Sequence, residues 1–161
     1  MDKVDLKKEL KELYNPSAKE VSTVNVPDMN FLTINGEGAP SSPQYAQSVE
    51  ALYTVSYGIK FMVKKSRGID YAVMPLEGLW WMGDMTKFDA ENKSKWLWTS
   101  MIMQPKYVTE ADVKAAIEQA RKKKDLPAID KVKFECYHEG SAAQIMYFGP
   151  FAQEGPTVAK I

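Results

Sequence analysis

The chain has 161 residues, enough for one domain or one domain with a short appendage. Its 21 basic and 21 acidic side chains cancel, which argues against a mainly electrostatic nucleic-acid binder. One cysteine, Cys136, excludes an intrachain disulfide and a cysteine-rich metal site, and the single histidine is His138. The N-terminus is charged where a signal peptide needs an apolar stretch, and no apolar run approaches the ~20 residues that span a bilayer. A cytoplasmic protein is expected.

Residues 2–14 read as a short helix, with Leu6, Leu10 and Leu13 on one stripe and Pro16 ending it. Residues 1–16 are therefore read as a helical arm and 17–161 as the main domain. Residues 29–35 read as a strand. Ser41 and Ser42 then offer caps, Pro43 suits a first helical position, and apolar spacing runs from Tyr45 to Val63. Lys64, Lys65 and Arg67 suit the negative end of the helix dipole, and Gly68 stops it.

Two strands are predicted at 69–74 and 76–82, with Pro75 between them, followed by a polar loop over 83–95. Trp96–Met103 is the clearest strand: both its faces are largely apolar, so it should be central. Thr109 with Asp112 resembles a capping box, and Val108 with Val113 a hydrophobic staple. The run Arg121–Lys124 closes that helix, and capping and solvation explain it better than nucleic acid does. Two more strands are expected at 132–138 and 142–148.

Phe31–Gly36 resembles Gln144–Gly149 in pattern, and a proline follows each glycine by seven residues. The repeat is strand, glycine loop, proline, helix. The first copy runs on through a full helix and at least two strands, whereas the second ends at Ile161. A longer natural protein is therefore expected, with a further helix and two strands of about 40 residues in total.

Four tryptophans and nine methionines are many for this length, and most of them lie between Phe61 and Met103. Met is adaptable, and together these side chains suggest a cavity wall that accepts flat apolar ligands. Trp80 and Trp81 point to opposite faces of one strand, so one should line a groove and the other pack under a helix. The same division applies to Trp96 or Trp98 against Met101 and Met103. Tyr53, Tyr57 and Phe61 share a helical face, as a pocket wall or as core. Glu77 stands between Pro75 and the two tryptophans. If buried, it is a candidate acid, base or cation anchor; otherwise it is a turn carboxylate that accepts backbone amides. Cys136 and His138, two apart on a strand, are roughly 7 Å apart and too distant for a nucleophilic pair. No metal and no cofactor are expected.

Four segments carry a family resemblance: Val26–Gly38, Pro75–Trp81, Trp96–Pro105 and His138–Pro150. With them the chain resembles the GyrI-like small-molecule-binding family over nearly its whole length, closest to its stand-alone bacterial branch. The resemblance implies an α+β fold of two β-α-β-β halves related by pseudo-twofold symmetry. A curved antiparallel sheet carries helices on one side, and the ligand lies in the groove between halves. It also implies a hydrophobic or amphipathic aromatic ligand and hydrolysis of cyclopropane-bearing toxins. The alternatives are drug sequestration or sensing without chemistry, and a gyrase-interacting role. The family's glutamate near the C-terminus is carried over onto no residue here; Glu77 is the candidate catalytic residue on the strength of its own apolar surroundings. The candidate ligand contacts are Tyr53, Tyr57, Phe61, Trp80, Trp81, Trp98, Met101, Met103 and Tyr147. A homodimer is left open.

Overall fold

The structure is a computed structural model and describes residues 2–87 and 91–161. Its strands are β1 (Asp2–Val4), β2 (Ser22–Val26), β3 (Met29–Glu37), β4 (Ile69–Tyr71), β5 (Leu76–Trp81), β6 (Leu97–Gln104), β7 (Lys133–Tyr137) and β8 (Gly140–Gln144). Its helices are α1 (Leu6–Glu9), α2 (Lys11–Tyr14), α3 (Pro43–Arg67), α4 (Glu110–Lys123) and α5 (Gly155–Val158). The fold is α+β. An antiparallel sheet in the order β5-β6-β3-β7 forms the centre, a separate antiparallel ribbon pairs β2 with β8, and β1 pairs in parallel with β4.

Cross-strand partners share a face, so the register sorts the side chains of the central sheet. Leu32, Ile34, Ile102, Ser100 and Trp98 lie on one face. That face packs on α3, whose Leu52, Val55, Ile59 and Val63 are fully buried. Gln104 Nε2 reaches across to Ser56 Oγ on α3 at 3.2 Å, which satisfies two buried polar groups in the layer. The opposite face carries Phe31, Thr33, Met101, Met103, Glu77 and Trp81.

Helix α3 begins and ends as its sequence dictates. Ser42 Oγ accepts from Tyr45 N, Pro43 stands in the first turn, and Gly68 takes the left-handed conformation at φ 70°. Helix α4 opens with a complete Thr109–Asp112 capping box. Arg67 Nη2 also donates to both carboxylate oxygens of Asp112, at 2.7 and 2.8 Å, and Nη1 donates to Tyr107 O at 2.6 Å, which ties the start of α4 to the end of α3. Lys124 pairs with Glu50 at the other end of the two helices.

Several boundaries differ from the sequence reading. Residues 2–14 are a strand and two short turns of helix, because Asp2–Val4 pairs with Ile69–Tyr71 and Leu10 has non-helical φ −107°, ψ 36°. The strand at 69–74 stops at Tyr71, before Pro75, which has no N–H to donate. The last strand is Gly140–Gln144, not 142–148, and it pairs with a strand at Ser22–Val26 that the sequence reading missed. The echo survives in part, since Pro43 and Pro156 each stand in the first turn of a helix. Of the predicted loop 83–95, residues 88–90 lie outside the described residues. Among the described residues, no helix is long and apolar enough to cross a membrane.

Candidate functional site

The arm, β5 and the β2–β8 ribbon enclose a cleft of about 360 Å³. Its walls include Leu13, Val24, Val26, Met29, Ala142 and Met146, and its polar groups are Tyr14, Glu77, Glu139 and Gln144. Two bonds hold the arm over it. Gln144 Nε2 donates to Glu12 O at 2.5 Å, and Met146 N donates to Ser17 O at 2.9 Å.

Glu77 is one of two carboxylates in this cleft. It lies on the sheet face turned away from α3, directly across from Met101. Tyr14 Oη donates to Glu77 Oε2 at 2.8 Å. Burial raises the Glu77 carboxyl above its ordinary range, the Tyr14 hydrogen bond opposes this, and the Glu139 carboxylate adds to it. Burial, the charge of Glu77 and their hydrogen bond push the Tyr14 phenol up, so it is a neutral donor at physiological pH. A half-buried carboxyl with a raised pKa can take a proton from water or give one to a ligand.

A second cavity of about 440 Å³ adjoins the first, with Met29 in the wall of both. Val4, Leu6 and Leu10 of the arm cover it, and Met103 and Tyr107 lie in its wall.

The remaining predicted ligand contacts are distributed over several surfaces. Met101 and Met103 lie on the Glu77 face and are 3% and 4% exposed. Trp81 shares that face, whereas Trp80 turns to the helix side and packs on Tyr45 at 5.4 Å between centroids. Trp98 is fully buried under α3, edge-on to Tyr45 at 5.1 Å. It is core and lines neither cavity. Tyr53, Tyr57 and Phe61 form a stacked ladder on α3, with centroids 6.4 and 6.3 Å apart. Tyr57 is 47% and Phe61 59% exposed, and the whole sheet separates their helix from Glu77. Tyr147 donates to Pro150 O at 3.0 Å within its own loop. Of the nine predicted ligand contacts, Tyr53, Tyr57, Phe61, Trp80, Trp81, Trp98, Met101, Met103 and Tyr147, none lines the Glu77 cleft, and Met103 lines the second cavity.

Sequence reasoning missed Tyr14, Glu139 and the ribbon. No local signal marks Tyr14, because its partner lies 63 residues away. His138 Nδ1 lies 2.8 Å from Asp28 Oδ1 at the surface, and Cys136 is an exposed free thiol. No group of three or more metal-ligating side chains occurs among the described residues.

A mixed sheet-and-helix domain with two adjoining, largely apolar cavities and a half-buried carboxyl defines a small-molecule-binding class. The comparisons narrow this. The GyrI-like small molecule binding domain matches residues 19–161, and the chain belongs to that family. No protein of curated function matches it. An uncharacterized conserved protein from Listeria innocua is 41% identical with TM-score 0.89, over 98% of this chain and 78% of that one. A Listeria innocua hydrolase is 40% identical with TM-score 0.87, over 99% of this chain and 78% of its own. A further Listeria innocua hydrolase structure is 39% identical with TM-score 0.83, over 98% of this chain and 80% of its own.

Proposed function

We propose that the chain binds flat apolar or amphipathic small molecules in the Glu77 cleft and hydrolyses strained cyclopropanoid compounds as a cytoplasmic detoxifying enzyme. One observation carries this reading: a carboxyl with a raised pKa stands in an apolar-walled cleft, hydrogen-bonded to a neutral phenol. Two hydrolases among the structural neighbours support it.

The chemistry needs a base and little else from the protein. Glu77 takes a proton from water while the water oxygen attacks a cyclopropane methylene. The ring C–C bond breaks, and its electron pair moves into the conjugated carbonyl to give a phenolate, which solvent protonates. Ring strain supplies driving force, so positioning and proton removal are the protein's main contributions. Apolar walls strengthen both by excluding water from the cleft.

A second reading has its own support. The described cleft residues hold two carboxylates, Glu77 and Glu139, and no basic side chain. Such a cleft suits an amphipathic cation that is bound and released unchanged.

Incubation with a spirocyclopropyl-dienone, followed by ultraviolet absorbance, separates the two. Turnover above buffer that disappears in Glu77→Gln supports hydrolysis. Quenching of tryptophan fluorescence with recovery of intact compound supports binding alone. Neither signal across a panel of flat compounds rejects both readings.

A further inference from the structure

We propose that Tyr14, carried by the N-terminal arm, is the positioning residue for Glu77, so that the arm is a working part of the active site and not only its cover. The inference rests on the hydrolase reading for its kinetic consequences, and on geometry alone for the contact itself.

Three observations meet at Tyr14. Its hydroxyl donates to Glu77 Oε2 at 2.8 Å across 63 residues of sequence. Its neighbours Leu13 and Pro16 line the same cleft, so this stretch of the arm forms one wall. The chain is anchored on both sides of the tyrosine: β1 pairs with β4 and Gln144 bonds Glu12 before it, and Met146 bonds Ser17 after it. A side chain fixed in this way delivers its hydroxyl to one place.

The contact has a chemical purpose. Water activation needs Glu77 as carboxylate, yet apolar walls oppose that charge. Besides Glu77, the titratable groups in the cleft are Tyr14 on α2 and Glu139 in the turn between β7 and β8. Glu139 works against ionisation, and Tyr14 is the group that works for it. Its hydrogen bond to Oε2 also fixes the carboxyl rotamer and leaves Oε1 to meet the water.

The test compares Tyr14→Phe with Leu10→Ala. The first removes only the hydroxyl. The second trims an arm side chain that lines the neighbouring cavity, and it keeps the Tyr14 hydroxyl and the Glu12 and Ser17 anchors. In Tyr14→Phe, kcat at neutral pH should fall on the order of tenfold, a part of the usual general-base contribution. KM should change little, and the acidic limb of the pH profile should move to higher pH. Carbon-13 NMR titration of Glu77 in the ligand-free protein should move the same way. Leu10→Ala should leave both titrations in place.

Unmoved titrations in Tyr14→Phe would overturn the proposal, as would an equal displacement in Leu10→Ala. A wild-type protein without turnover sinks the hydrolase reading instead, and the NMR titration then still decides whether Tyr14 controls Glu77.

Discussion

Gly36 and Trp98 face each other across β3 and β6, and the indole lies where a side chain at residue 36 would begin. A Cβ there would fall 2.2 Å from Trp98 Cζ2 and 2.3 Å from Cη2. The ring cannot retreat, because it is fully buried and edge-on to Tyr45. Gly36→Ala should therefore cost about 2–3 kcal/mol through overpacking. Urea denaturation checks this: the midpoint should fall with the slope unchanged.

The faces of the central sheet divide the tryptophans. Trp81 shares the Glu77 face, while Trp80 and Trp98 pack with Tyr45 on the helix side. Trp81 stands outside the cleft lining but on its side of the sheet, so a flat ligand there should quench Trp81 more than Trp98, which lies behind the sheet. Trp81→Phe should reduce the ligand-dependent change in fluorescence, and Trp98→Phe should keep it. Titration of the two variants with one quenching compound reads this directly.

Much of this fold was legible because it follows from local chemistry. Ser42, Pro43 and Gly68 mark the ends of α3 by hydrogen bonding and backbone geometry that neighbouring residues supply. The alternating run Leu97–Gln104 announces a central strand by its apolar faces. Opposite orientation of Trp80 and Trp81 followed from the pleat, although which of them faced α3 depended on the register with β6. What escaped depends on distant pairing. The Ser22–Val26 strand exists because Gly140–Gln144 lies beside it, some 118 residues away for the Ser22–Gly140 offset. The arm looked helical because Leu6, Leu10 and Leu13 have helical spacing, but the free edge of Ile69–Tyr71 draws its first residues into a strand. Glu77 was visible from its apolar neighbours. Tyr14, which reaches it across 63 positions, was not. The aromatic ladder on α3 shows the converse limit: helical spacing groups Tyr53, Tyr57 and Phe61, but it does not say which side of the helix meets the sheet.

Asp112 serves two elements at once. It completes the capping box of α4 and accepts both bonds from Arg67 at the end of α3. Partial burial would raise its carboxyl, but the hydrogen bonds from Arg67 and Thr109 outweigh this and hold it below the ordinary value of 3.8. A depressed folded-state pKa stabilises above the unfolded value, and that contribution is lost as pH falls through the folded one. Asp112→Ala should cost about 2 kcal/mol at neutral pH, from the cap and the ion pair together. The deficit relative to wild type should shrink below pH 3.8. Chemical denaturation at neutral and acid pH measures both values.

Glu77 carries the opposite sign. Its folded pKa lies above its unfolded one, chiefly through burial, so the folded state holds the proton more tightly. Below the unfolded value both states are protonated and nothing is lost. As pH rises through that value the unfolded chain ionises first, and stability declines until the folded carboxyl ionises too. At neutral pH the native protein therefore bears a penalty for keeping this carboxylate in an apolar cleft. Glu77→Gln removes the charge and keeps an oxygen to accept from Tyr14. The variant should melt at a higher temperature than wild type near pH 8, with the difference vanishing below the ordinary glutamate value of 4.5. It should also lose the proposed turnover by at least a hundredfold, the low end of what a general base contributes. A variant that loses activity without gaining stability at high pH would show that the Glu77 carboxylate is not under desolvation strain. A wild-type melting temperature that holds level between pH 5 and 8 would point the same way.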